Sequence, residues 1–283
     1  MSHTLLPELK ETDATGRIAE IYADLRASLG VPMVNLIFRH LATVPGCLEW
    51  VWEQVGPLYV SGAFTHAASA VTTQQQIPVL TFSRTALGHC GLNDSAIEAI
   101  RQTCTAYARA NPANLMGLQA LETILQGLAL DPPLTYVPAT NARPAPQAGV
   151  TAVTPLLPMG NLQMLAADTF ATLRALALQV HGEDGPVIPS FYRHFIAWPA
   201  FLSLLHEHLE PLMAPVNAAV QGFEHASKAS ALTLLRGDGS QAVKQPNAIT
   251  IEALQSVIAR FPQNLIRMTL IPLAISAALQ SAA

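Results

Sequence analysis

The sequence predicts an all-α fold, in which two tandem repeats of one helical unit pack as a pseudo-dimer. Three observations lead there. Apolar residues recur at helical spacing, a proline-rich segment divides the chain near its middle, and a motif returns at one constant offset. Ile18, Ile21, Tyr22, Leu25 and Leu29 mark a first helix, and Gly30 ends it. The run Asn35 to Thr43 is apolar at Leu36, Ile37, Phe38 and Leu41, with Arg39 and His40 set between. Asn93-Asp94-Ser95 caps a helix from Ala96 to about Ala110, and Pro112 starts the next. Residues 131–158 carry Pro132, Pro133, Pro138, Pro144, Pro146, Pro155 and Pro158 with no helical period, which reads as a linker. The apolar stretch Met268 to Ala283 reads as a buried core helix, and no alternating pattern argues for a strand.

The offset is 154 residues, from Pro32 to Pro186. Pro32, Arg39, His40, Pro45, Leu48, Glu53, Pro57 and Leu58 all recur at that spacing without a gap. Unrelated segments of this length share about one or two identities, so the run is a repeat. Leu5-Leu6-Pro7 and Leu156-Leu157-Pro158 open the two copies. Ile97-Glu98-Ala99 returns as Ile251-Glu252-Ala253, and Pro112-Ala113-Asn114-Leu115 as Pro262-Gln263-Asn264-Leu265. The expected organisation is repeat 1 over 1–130, linker over 131–158 and repeat 2 over 159–283. Two copies pack about a pseudo-twofold axis, and the groove between them is the expected pocket.

Composition narrows the function. Of 283 residues, 51% are apolar and 12% charged, so helices are buried on several sides or surface is hidden in an oligomer. A net charge of -4 without a basic stripe excludes a nucleic-acid partner. Cys47, Cys90 and Cys104 form no CxxC pair, which fits buried small hydrophobes in a reducing cytoplasm. No signal peptide, membrane segment or metal motif is read. His206 and His208 sit two apart on a helix and point to different sides, so they do not share an ion.

The polar groups inside apolar helices are the candidate site. Arg39-His40 and Arg193-His194 have two readings. Structurally, the arginines pair with Glu53 and Glu207 or cap carbonyls. Functionally, the guanidiniums clamp a carboxylate and a histidine activates water near neutral pH. The amide of Asn111, at the Asn111-Pro112 step, either caps a helix or orients a water and a carboxylate. The candidate catalytic residues are Asn111, His194 and His40. The candidate substrate contacts are Asn35, Leu36, Arg39, Ser190, Tyr192 and Arg193.

Across nearly its whole length the chain resembles the group I 2-haloacid dehalogenases. The likeness is carried by Ile21-Tyr22-Ala23-Asp24-Leu25-Arg26, Val31-Pro32, Leu41-Ala42-Thr43-Val44-Pro45-Gly46, Ala110-Asn111-Pro112, Pro155-Leu156-Leu157-Pro158 and Ala197-Trp198-Pro199. The resemblance implies a homodimer of two-repeat, all-α chains, with the site between repeats and neither metal nor organic cofactor. It implies that water displaces halide at C2 of a small carboxylic acid, with Asn111 assisting an aspartate that activates the water. Pro189, Ser190 and Phe191 occupy the positions where that aspartate is sought, and Asn35 is the repeat-mate of Pro189. The fold is also similar to the alkylhydroperoxidase-D-like superfamily, whose Cys-x-x-Cys pair is absent here. The leading expectation is a hydrolytic dehalogenase-like enzyme. Its rivals are a small-acid binding protein and another enzyme on the same scaffold.

Overall fold

The protein is described as a computed structural model covering residues 6–129, 156–181, 188–235, 243 and 245–282. Nearly all of the expected linker lies outside these residues, as do Leu5, Glu183, Asp184, Gly185 and Pro186. Among the described residues the chain is helical and has no strand. The first half comprises α1 (Gly16–Leu29), α2 (Leu36–Leu41), α3 (Cys47–Val60), α4 (Ala63–Thr73), α5 (Arg84–His89) and α6 (Asp94–Leu128). The second comprises a 3-10 turn at Leu162–Met164, then α7 (Ala167–His181), α8 (Ser190–Arg193), α9 (Pro199–Leu209), α10 (Met213–Leu235), α11 (Ala248–Arg260) and α12 (Pro262–Ala282).

Local chemistry sets the ends. Ile21, Tyr22, Leu25 and Leu29 bury one face of α1, and Gly30 closes it at φ 63, a left-handed value that glycine adopts without a Cβ clash. Asn93 caps α6 by accepting from the Ala96 amide at 2.9 Å. Asn247, its counterpart at the repeat offset, caps α11 by accepting from Thr250 at 2.8 Å.

α6 departs from the expected break at Asn111-Pro112, because the helix runs through both residues for 35 in all. An internal proline removes one backbone hydrogen bond and costs about 3 kcal/mol. That cost is offset here by packing, since every residue from Asn111 to Leu121 is buried. The second half does break at the matching place: Phe261 caps α11, and Pro262 opens α12 where its missing N–H is not needed.

α6 and α12 form the central seam, with α4 and α10 packed against α6. By length and composition α12 could cross a membrane, yet most of its apolar window is buried in the protein, where it meets α6. The expected core helix at the C-terminus is therefore present, beginning earlier than its apolar run.

Candidate active site

A cavity of about 870 Å3 opens between the halves. Asn35, Leu36, Tyr107 and Asn111 line it from the first half; Ser190, Phe191, Arg260 and Asn264 line it from the second. Met33, Ile188, Pro189, Leu265 and Met268 supply further apolar wall, and His181 closes one side. No carboxylate is among the described lining residues. A larger cavity, about 1140 Å3, lies on a neighbouring stripe of α6 beside α1, α3 and α4, and none of the expected site residues lines it.

Asn111 is the best-held polar group in the smaller cavity. Pro272 lacks an N–H, so the Met268 carbonyl, four residues back in α12, loses its helical donor. Asn111 Nδ2 donates to that carbonyl at 2.6 Å, and the side chain is only 2% exposed. The bond fixes the amide so that Oδ1 faces Asn35, whose Nδ2 lies 3.5 Å away. Asn35 is oriented in turn, because its Oδ1 caps α2 by accepting from Ile37 N at 3.0 Å. One proline thus sets the direction of two amides.

The Arg-His pairs sit elsewhere. Arg39 meets Glu8 at 2.8 Å and not Glu53, while Arg193 donates twice to the Gly160 carbonyl, at 3.0 and 3.3 Å, and not to Glu207. His40 Nδ1 lies 2.8 Å from the Pro7 carbonyl, and His194 Nδ1 bonds the Leu157 carbonyl. In each half the pair pins the segment that leads into the first helices. None of Arg39, His40, Arg193, His194 or Tyr192 lines the cavity.

His194 still communicates with it. A carbonyl only accepts, so Nδ1 carries the hydrogen and Nε2 of the neutral ring accepts from the Tyr107 hydroxyl at 3.1 Å. Ser190 hydrogen-bonds Tyr107 from the cavity side. Burial lowers the His194 pKa; the Leu157 carbonyl opposes that shift, and the Arg193 charge adds to it. Burial raises the Tyr107 pKa, against the pull of Arg39 and Arg193, so the phenol stays protonated. Burial likewise raises all three thiols, Cys47 to about 11, which leaves them poor nucleophiles. Among the described residues no group of three or more His, Cys, Asp or Glu is placed to hold an ion.

His181, Tyr107, Arg260 and Asn264 are lining residues that sequence reasoning passed over. Only Asn264 carried a signal, as the repeat-mate of Asn114. His181 ends α7, and burial lowers its pKa, with an Asn264 hydrogen bond opposing and the Arg267 charge reinforcing. Arg260 is the only guanidinium among the described lining residues.

No family model matches the chain. It is 25% identical over 217 residues to a configuration-inverting 2-haloacid dehalogenase of Alcaligenes xylosoxydans xylosoxydans, covering 76% of this chain and 71% of that one. It is also 25% identical over 105 residues, 35% of each chain, to an (R)-2-haloacid dehalogenase of Pseudomonas putida. A solved D-2-haloacid dehalogenase mutant in complex with D-2-CPA has the same fold, with a TM-score of 0.71 at 22% identity over 99% of this chain and 96% of that one. A second mutant structure gives 0.72 at 21% identity, over 97% and 96%. The chain is a relative of the 2-haloacid dehalogenases and shares their all-helical fold.

Proposed function

We propose that this protein is a hydrolase of small 2-haloalkanoic acids, exchanging halide for hydroxyl by attack of an activated water in the cavity between its halves. The observation that carries this reading is Asn111, which lines the cavity with its Nδ2 locked on the Met268 carbonyl and its Oδ1 beside Asn35, in a chain related to 2-haloacid dehalogenases. An amide so held accepts a hydrogen bond from a water and fixes the lone pair that attacks C2. Arg260 and Asn35 Nδ2 offer donors for the carboxylate, and Leu36 and Ser190 complete the contact surface. Phe191, Leu265 and Met268 keep bulk water off the reacting carbon. Direct displacement from the face opposite the halide inverts C2.

Tyr192, Arg39, Arg193, His40 and His194 belong in this reading to the frame around the cavity. The wider organisation proposed is repeat 1 over 1–130, linker over 131–158 and repeat 2 over 159–283, packed as a pseudo-dimer. Support comes from the order of elements, because α2 and α8, α3 and α9, and the caps Asn93 and Asn247 recur near the repeat offset. We also propose a homodimer, on the low charged fraction of 12%, and a cytoplasmic setting, on three free cysteines. The activity is tested by chloride release from each enantiomer of 2-chloropropionate, with the hydroxy acid product resolved on a chiral column. Asn111→Ala should lower turnover by about 2–4 kcal/mol of barrier, as for loss of an oriented polar group. Chloride release from neither enantiomer, or an Asn111→Ala variant as fast as wild type, refutes the reading.

A further inference from the structure

Resting on that reading, displacement by water requires a group that takes the water's proton, and the cavity offers few. Carboxylates are missing from its described lining. Arg260 is a permanent cation, the Tyr107 phenol is held protonated, and the amides and Ser190 do not accept protons near neutral pH. We propose that His181 is the general base of the reaction.

The placement supports it. His181 stands at the end of α7 and lines the same cavity as the first-half residues Asn35 and Asn111. Asn264 Nδ2 donates to the Arg260 carbonyl at 3.3 Å, so its Oδ1 is turned to accept from His181. That bond ties the hydrogen-bearing ring nitrogen and leaves the other as a lone-pair acceptor. The reaction then balances. The water oxygen forms a bond to C2 as the C2–halogen bond breaks, and the halide leaves with the bonding pair. One water proton passes to the imidazole, and the imidazolium later releases it to solvent, regenerating the base beside the 2-hydroxy acid.

Ser190, Tyr107 and His194 form a second hydrogen-bonded chain from the cavity, but it is the weaker route. It needs successive transfers and ends on an imidazole only 4% exposed, beside Arg193, with no exit for the proton. His181 is only half-buried and can discharge directly.

Burial, with the groups packed around His181, sets the sign of the pH dependence. α12 presents Asn264 and Arg267, α11 presents Arg260, and α6 presents Tyr107. α8 presents Ser190 and Phe191, with Arg193 turned to Gly160, and α9 meets α7 where Gln179 donates to the His206 carbonyl. Burial, the largest influence, disfavours the charged ring; the Asn264 hydrogen bond opposes that and Arg267 adds to it. Among the described residues these groups include no anion. The base therefore stays neutral and active to below the ordinary histidine value of 6.5.

The test measures kcat and KM for chloride release from 2-chloropropionate across pH, with thermal stabilisation by propionate as the binding readout. His181→Gln should lower kcat by about 100-fold or more, change KM little, keep the propionate effect and lose the acid limb. His181→Glu should recover part of the rate, with its acid limb moved to the carboxylate range. In wild type, the acid limb of kcat/KM should coincide with the His181 ionisation seen by NMR; a mismatch overturns the proposal even if the variants fail to fold. Full activity in His181→Gln overturns it. So does loss of the acid limb in His194→Gln instead, or loss of turnover in Glu183→Gln with Asp184→Asn, whose positions lie outside the described residues. A wild-type chain that releases no chloride at any pH sinks the haloacid reading and the base together; an active wild type with an active His181→Gln sinks the base alone.

Discussion

Arginine and histidine side by side in an apolar helix announce a polar requirement, but the sequence does not say of what. Here the requirement is local architecture: Glu8, Pro7, Leu157 and Gly160 are the partners, and all lie on segments without periodicity, where pairing is invisible before folding. The place of Asn111 at the cavity was legible through the Asn-Pro step that carries the family resemblance, although the helix end read there is absent. His181 was not, since a lone histidine at a helix end reads as a terminus. The buried His194 has a measurable consequence. Its pKa is lowered in the folded state, so between that value and the unfolded value of about 6.5 the unfolded chain binds more protons. The stability it contributes is full above about pH 6.5 and is lost as pH falls through the folded value. Melting temperature should therefore drop on going from pH 7.5 to pH 5, and His194→Gln should flatten that slope while lowering stability at pH 7.5 by about 1–3 kcal/mol. An unchanged slope would assign the acid sensitivity to another group. Tyr192 gives a contrasting case, because its buried hydroxyl has no hydrogen-bond partner among the described residues. Tyr192→Phe removes a desolvated polar atom and should leave stability unchanged or raise it by about 1 kcal/mol. A tenfold loss in kcat/KM would instead put the hydroxyl on the substrate.

At the scale of elements, helix positions were readable wherever apolar spacing and caps agreed, as in α1 with Gly30 and α6 with Asn93. The continuation of α6 through Pro112 was not, because local propensity argues for a stop and burial from Asn111 to Leu121 overrides it. Much of that burial comes from α12 and α10, far along the chain, with Tyr59 of α3 against Ala113 and Asn114. Pro272 in α12 shows a second use of an internal proline. It frees the Met268 carbonyl, and the freed carbonyl holds Asn111. Pro272→Ala restores a donor within the helix, so the carbonyl no longer depends on the asparagine. The variant should gain stability, by up to about 3 kcal/mol on helix propensity alone. Its turnover should fall by about threefold to tenfold, because a small misplacement of an orienting group is costly. Denaturant unfolding and chloride release on the same preparation check both signs. A variant that is both more stable and equally active would mean that the Met268 carbonyl does not set the amide.

At the scale of the molecule, eight identities lie in one ungapped run at an offset of 154 residues, whereas the cavity was legible only as a place between the halves. Which side chains face it depends on how α6 and α12 roll against each other, and no pattern within one half encodes that. The seam also determines what each half can do alone. α6 buries its central stretch against α12 and α10, so a first half without them exposes a continuous apolar face. α12 without α6 exposes another, since Ile266, Leu270, Ile271, Ala274, Ile275 and Leu279 are all buried. The cavity fails in either fragment as well, because Asn35 and Asn111 come from one half and Ser190 and Arg260 from the other. Residues 1–140 and 141–283 produced together as separate chains should associate in equal amounts, regain helical structure with a cooperative melt, and release chloride. Produced singly, each should aggregate or lack a cooperative transition, because the apolar area left uncovered outweighs what it buries internally. Size-exclusion chromatography with circular dichroism decides the matter. A single fragment that is monomeric and melts cooperatively would show that the halves fold as independent domains and that the seam is an interface between them, not a shared core.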